Sequence, residues 1–384
     1  MPFRPASSFP GRRFRWRLRA AVAAAAAGTA VLLAPAAFAA TGWTVVTVPQ
    51  TGNNTLLTAA SARTGSDAWA VGEQFTAAGQ APAPPVSYHW TGSAWSLVPT
   101  ASLGANTSGA LLAVSAAAAN DAWAVGFSSP RRDDESTLFE HWNGSAWSVD
   151  TSLAVSGEVA QLTGVADVSP GNAWAVGRAP AGTLLAHWNG TSWASVPLPD
   201  PSFQPGSGES MSATSASDIW LVGTSVNAAG STVAEALHFN GSAWSVSPMA
   251  QPSLGTPSIS AVTALSASNA WAVGTNGGST LIEHWTGSSW SVVPSPTPGA
   301  DPSLTGVAAR GPSDVYAVGS SLPSINGGVV QGIILRWNGS SWSADTDPTT
   351  GSFSPLYAAA AAPGAASEWA AGTLSNQSLI LSHP

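Results

Sequence analysis

The sequence predicts an all-β fold: a seven-bladed β-propeller of four-stranded antiparallel blades, the last blade completed by the N-terminal strand. Three observations predict it. The phrase "HWNGSAWS" at 141–148 recurs at 89–96, 187–194, 238–245, 284–291 and 336–343, six times in all. A second phrase, "DAWAVG" at 67–72, recurs at 121–126, 172–177, 218–223, 269–274 and 314–319, and shortened at 368–372, seven times in all. The two phrases stay in phase along the whole chain.

The aromatic residue of the second phrase is Trp69, Trp123, Trp174, Trp220, Trp271, Tyr316 and Trp369, at spacings of 54, 51, 46, 51, 45 and 53 residues. Self-similarity at a period near fifty points to propeller blades or a solenoid. Within one unit, "LTGVAARGPSDVYAVGSS" holds two short alternating apolar runs around a Ser-Asp turn. "IILRWNGSSWSAD" holds two more around Asn-Gly, so each unit is four strands. A two-residue turn at Asn143-Gly144 would put Trp142 and Trp147 on one face, and a four-residue loop would set them directly opposite. Both leave the two indoles as packing groups.

Seven copies of one phrase against six of the other leave the last unit short of its fourth strand. "TGWTVVTVP" (41–49) supplies the match, because it reads like "GSAWSLVP" (92–99). Trp43 precedes Trp95 by 52 residues, and Trp147, Trp193, Trp244, Trp290 and Trp342 follow at 52, 46, 51, 46 and 52. A solenoid gains nothing from dividing a unit between its termini, whereas a ring so divided leaves no unpaired end. A single propeller domain is therefore expected over residues 40–384, entered at about residue 41.

The unit "DVYAVGSS…ILRWNGSSWSADTDP" resembles the kelch repeat and the galactose-oxidase-like propellers: an aromatic residue, Val-Gly, a turn, Trp and a Pro-rich exit. The family pattern has a Gly pair where this chain has a single Gly, and Tyr at the second aromatic where this chain has Trp. The resemblance implies the propeller fold and leaves the activity open. The copper and radical chemistry of the galactose-oxidase family needs a Tyr crosslinked to Cys, and this chain has no Cys.

The N-terminus reads separately. Six of the 12 Arg fall in the first twenty residues, followed by the apolar run "AAVAAAAAGTAVLLAPAAFAA" (20–40) with its small-x-small ending. Residues 1–39 are expected to be a secretory signal peptide, making the protein secreted and extracellular. What remains has six Arg against 20 Asp and Glu, net −14, and no Lys. Nucleic acid is excluded as a partner by that charge, as is the membrane after signal cleavage. A monomer without cofactor or resident metal is expected.

The repeated polar residues belong to the scaffold. His89, His141, His187, His238, His284 and His383, with Arg336 in the same register, are expected to pack and hydrogen-bond rather than ring a metal. Asp67, Asp121, Asn172, Asp218, Asn269 and Asp314 are expected to cap the turn before the aromatic. In an antiparallel meander the turns joining strands one to two and three to four share one face. The longer, variable connections share the other, where a binding surface can be built. The candidate ligand-binding residues on that face are Arg131, Arg132, Asp133 and Asp134 of "PRRDDE" (130–135), with Glu73, Arg178, Asp200, Phe203 and Glu209. The forked guanidinium groups of Arg131 and Arg132 suit a carboxylate or sulfated sugar. The expected function is non-catalytic binding of an extracellular glycan or protein. The alternative is a secreted polysaccharide-cleaving enzyme, glycoside hydrolase or lyase, using loop carboxylates of the same face.

Overall fold

In the computed structural model, described at residues 42–76, 83–131, 134–252, 255–325, 327–365 and 367–384, the chain is all-β and arranged as a β-propeller. The predicted signal peptide lies outside the described residues.

Every unit is an antiparallel meander. Unit 1 is Asn54–Thr64, Asp67–Phe75, Val86–Trp90 and Trp95–Val98; unit 2 is Ser108–Ala118, Asp121–Arg131, Asp134–Trp142 and Trp147–Asp150. Unit 3 is Gln161–Ser169, Asn172–Ala179, Gly182–Trp188 and Trp193–Val196. In unit 4 the first strand is divided into Gln204–Pro205 and Met211–Ser215, followed by Asp218–Val226, Thr232–Phe239 and Trp244–Pro248. Unit 5 is Pro257–Ser266, Asn269–Asn276, Ser279–Trp285 and Trp290–Val292; unit 6 is Ala300–Gly311, Asp314–Leu322, Gln331–Trp337 and Trp342–Asp345. The last unit is Leu356–Ala361, Glu368–Leu374 and Gln377–His383, and Thr44–Val46 pairs with its third strand through Thr44↔Ser382, Val45↔Leu381 and Val46↔Ile380.

Seven separate sheets are expected from the repeats, but hydrogen bonding among the described residues divides the chain into six. The difference is local. The second strand of unit 1 bridges the first strand of unit 2 at Glu73↔Ala110, which fuses those two meanders, with the short strand Ser156–Gly157 paired to Asp134–Trp142, into one nine-stranded sheet.

The hairpin of the repeated phrase has the four-residue loop. Trp142 lies directly opposite Trp147. Asn143 makes the loop: its Oδ1 accepts the N–H groups of Ser145 and Ala146, both at 3.0 Å, while Gly144 takes φ 93°. An Asn side chain that closes its own turn competes successfully with a tighter two-residue hairpin.

Adjacent units interlock through aromatic rings. Trp69 of unit 1 meets Trp142 and Trp147 of unit 2, each at 5.0 Å between ring centroids. The same contact joins Trp123 to Trp188 and Trp193, Trp220 to Trp285 and Trp290, and Trp271 to Trp337 and Trp342. Tyr316 meets Trp43 at 5.5 Å, and Trp369 of the last unit meets Trp90 and Trp95 of the first at 5.9 and 6.0 Å. Each such edge or tilted pair adds roughly 0.5–1.5 kcal/mol beyond its buried area.

The His register is explained within units 1 to 5; in the last unit Trp369 lies opposite Ser382, so His383 stands one place out of the expected register, opposite Glu368. Trp69 and His89 are direct cross-strand partners, stacked at 4.0 Å, and His89 Nε2 lies 2.7 Å from Asp67 Oδ1. His141 with Asp121, His238 with Asp218, and His187 and His284 with Asn172 and Asn269 repeat the arrangement. The Asp and Asn side chains therefore hold the ring imidazoles; they do not cap the turn as expected. Among the described residues no group of three or more His, Asp or Glu converges as a metal centre.

A third register fastens the connections between units. Glu140 and Glu283 are fully buried, and they accept the backbone N–H of Ala101 and Ala250 at 3.0 and 2.9 Å. Burial pushes both carboxyls up to about 7. Tyr88 holds the same place in unit 1 and donates its Oη to the Pro49 carbonyl at 2.6 Å.

Candidate functional site

The first strands of the units line an axial cavity of about 270 Å³. They converge there, so small side chains are required, and the lining is largely alanine. Six of these strands skip one residue in pairing with their second strand, at Thr58, Leu112, Thr163, Ser260, Thr305 and Tyr357. The bulge presses a carbonyl against the glycine of "WAVG". A Cβ on Gly72 would lie 1.9 Å from the Leu56 oxygen, and one on Gly319 1.8 Å from that of Ser303. The bulge thus fixes the glycine seen in every repeat.

Unit 4 replaces the single bulged residue by five. Pro205 pairs with Gly223 and Met211 with Leu221, while 206–210 leave the strand between them. The hydrogen bonds from Gly206 N to Val222 O and from Val222 N to Ser210 O, at 3.0 and 2.9 Å, pin the base of this excursion. Its tip crosses the axis. Gly208 N donates to Ser260 O of unit 5, Val262 N donates to Glu209 O, and Glu209 Oε1 accepts Ala60 N of unit 1 at 2.7 Å. A Cβ on Gly208 would lie 2.1 Å from the Thr305 oxygen of unit 6, so only glycine passes at that point.

Glu209 consequently floors the cavity, which extends from that level toward the turns between first and second strands. Burial pushes its carboxyl up to about 8, against the partial stabilisation of the charged form by Ala60 N. The second carboxyl of the lining is Asp167 of unit 3, whose Oδ2 accepts Ala117 N at 3.2 Å. Burial first, and the charge of Asp121 second, push Asp167 up to about 8. No Arg or His is among the described lining residues, and Ser61, Ser115, Ser212 and Thr263 supply hydroxyls.

The sequence-predicted site residues are scattered by comparison. Arg131 ends a strand with its backbone paired to Asp134, which is exposed; Arg132 and Asp133 lie outside the described residues. Arg178 is exposed on the second strand of unit 3. Asp200 accepts Ser202 N at 2.7 Å and faces Glu235, whose carboxyl is pushed up mainly by burial and further by Asp200. Phe203 is 0 % exposed, packed in the core with Trp174, Val176 and Leu221, so it offers no ring to a ligand. Glu73 is half-buried where its strand bridges to Ala110 of unit 2, and burial pushes its carboxyl up to about 7. Its charge, after burial, helps to push the Tyr357 phenol up to about 12. Among the described residues none of these side chains hydrogen-bonds to another of the set.

Sequence reasoning named Glu209 but assigned it to the variable-loop face, and it missed Asp167. Two signals were available. "QPGSGES" lengthens the first strand of unit 4 at the place of a one-residue bulge, and Asp167 stands where the other first strands carry small or apolar residues.

No protein-family model matches the sequence, and none of the curated proteins is similar enough to it to count as a relative. Solved structures do resemble it. YCF48 bound to D1 peptide aligns over 90 % of this chain and 98 % of its own at 14 % identity and a TM-score of 0.54. YCF48 from Cyanidioschyzon merolae aligns over 89 % and 98 % at 14 % identity and 0.51. SapL1 lectin in complex with alpha methyl fucoside aligns over 80 % and 97 % at 10 % identity and 0.47. The likeness to the two YCF48 structures shows the β-propeller fold and goes no further.

Proposed function

We propose that the chain is an exported, non-catalytic propeller of seven kelch-like blades, the last completed by the strand of Trp43, that binds a neutral glycan end in its axial cavity. The support for the ring is the pairing of Thr44–Val46 with Gln377–His383 and the contact of Trp369 with Trp90 and Trp95. Export rests on the leader-like residues 1–39.

One observation carries the binding reading: the cavity is blocked at one level by Glu209 and its lining is hydroxyl-bearing and small. A blocked axial recess receives a ligand and does not pass one through. Its volume lies near the lower end for small-molecule sites, roughly 300–1,000 Å³. A single sugar ring suits it. With Glu209 pushed up to about 8 and no Arg or His among the described lining residues, these offer an anion no counter-charge at neutral pH. Neutral hydroxyls, which both donate and accept, complement such a wall.

The test is a glycan array with the mature protein and with Ala62→Phe, which fills the recess from its partly exposed wall. Retention of neutral glycans by the wild type and its loss in the variant are expected. Equal retention by both would remove the cavity from consideration. Binding to acidic glycans or a peptide, abolished by Arg131→Ala with Arg132→Ala, would move the site to the variable-loop face.

A second reading is favoured by Glu73 and Tyr357. Burial pushes the Glu73 carboxyl up to about 7, into the range a general acid uses, and its charge adds to the burial that raises the Tyr357 phenol. Reducing-sugar release lost in Glu73→Gln would support it, and no release by the wild type would end it.

A further inference from the structure

The repeated acid of the "DAWAVG" phrase has a companion four residues earlier. In unit 1, Arg63 Nε donates to Asp67 Oδ2 at 2.7 Å; in unit 6, Arg310 Nε donates to Asp314 Oδ2 at 2.7 Å. In unit 4, Thr214 Oγ1 donates to Asp218 Oδ2. Where the acid is replaced by the neutral Asn172 or Asn269, the companion is apolar, Val168 or Leu265. Acid and donor thus go together, and amide goes with neither charge nor donor.

Unit 2 breaks this rule. Its acid is Asp121, and the companion is Ala117, which has no side-chain donor. Asp121 is 3 % exposed; Oδ1 is held by His141 at 2.7 Å, and Oδ2 is buried with no partner. A second carboxylate then arrives from unit 3. Asp167, 9 % exposed, accepts the N–H of that same Ala117 on Oδ2, while its Oδ1 is also buried and unpartnered. Ala118, the residue after Ala117, is the cross-strand partner of Asp121, which brings the two carboxyl groups to one junction; the charge of Asp121 adds to the burial that pushes Asp167 up. At the junction of unit 6 with the last unit, Arg310 stands between Asp314 and Glu368, at 2.7 and 3.7 Å.

Two buried carboxyl oxygens without hydrogen-bond partners therefore stand at one junction, whereas the junction of unit 6 with the last unit holds the positive charge of Arg310. We propose that a small, oxygen-seeking divalent cation of the calcium class binds between Asp121 and Asp167, entering by the axial cavity that Asp167 lines. Each carboxylate has one oxygen already fixed by the protein, His141 in one case and Ala117 N in the other, so the free oxygens are pre-oriented. Neither free oxygen is in contact with bulk solvent. A compact bare ion suits that confinement better than a guanidinium. Carboxylate oxygen is the ligand calcium prefers, and water admitted through the cavity would complete its shell. This site is independent of the glycan reading.

The experiment is a thermal melt of the mature protein after EDTA treatment, with and without 1 mM calcium chloride, at matched ionic strength (concentration chosen at about a hundredfold over a Kd near 10 µM). Calcium is expected to raise the wild-type Tm by about 3 °C or more. Asp167→Asn keeps an acceptor for Ala117 N and should lose the response. Ala117→Arg installs the internal cation of units 1 and 6; it should melt higher than wild type in EDTA and ignore calcium. No wild-type response, an equal response to sodium chloride, or a response preserved in Ala117→Arg would overturn the site.

Discussion

Ala60 donates its backbone N–H across the channel to Glu209 Oε1 at 2.7 Å, joining the first unit to the fourth. One side chain thereby ties two walls of the cavity and ends the recess. Glu209 carries its proton at neutral pH because burial pushes the carboxyl up to about 8. The protonated group still accepts from Ala60 through Oε1.

The pH dependence follows with a definite sign. Glu73, Glu140 and Glu283 are pushed up to about 7, and Asp167 and Glu209 to about 8, from unfolded values of about 4. An acid whose folded pKa is raised contributes its full stability below the unfolded pKa and loses it as pH rises through the folded one. Tm should therefore fall from about pH 5 to about pH 8 and flatten above. Glu209→Gln should fall less over the same window, and a parallel curve would show that Glu209 does not titrate there.

Gly274→Ala forces a Cβ to 1.9 Å from the Ser258 oxygen. The strand pair must separate, costing at least about 2 kcal/mol. Urea denaturation measures it; a change within 0.5 kcal/mol, taken here as roughly the scatter of neutral surface substitutions, would mean that the bulge yields.

Glu140→Leu leaves the Ala101 N–H buried without an acceptor, with an expected loss of about 1–3 kcal/mol. Glu140→Gln retains the acceptor oxygen and should stay within about 1 kcal/mol of wild type. Equal losses in the two would assign the effect to packing instead of the latch.

Trp43→Ala removes a ring that is 6 % exposed and packed edge-on to Tyr316. The expected cost is roughly 3–5 kcal/mol. Proteolysis should then start in 42–47, since that stretch keeps only its short ladder to Gln377–His383 and the bond of Thr44, while Val48 to Gln50 remain held by the core and by Tyr88. Protection equal to wild type would show that the aromatic contact is dispensable.

Much of the scaffold was legible because its causes are local and repeated. The phase of the Trp residues placed Thr44–Val46 beside the last unit, and the Asn-Gly phrase placed each hairpin. The roles of Asp67 and its counterparts were misread as turn caps because their partners, His89 and its counterparts, are about twenty residues away. Phe203 was misread as a surface ring because a loop context gives no sign of the core it enters. The sheet count departed from seven through one backbone bridge, Glu73↔Ala110, which no periodicity encodes.

The sequence by itself determined the all-β class, the repeat and its phase, since each depends on residue type at fixed spacing. Only the tertiary structure decided where carboxyl groups meet. Glu209 and Ala60 are 149 residues apart, and Asp167 and Ala117 are 50 apart. Their encounters depend on a five-residue excursion crossing a channel and on the angle between neighbouring units. Burial then sets their protonation, and burial is a property of the assembled fold.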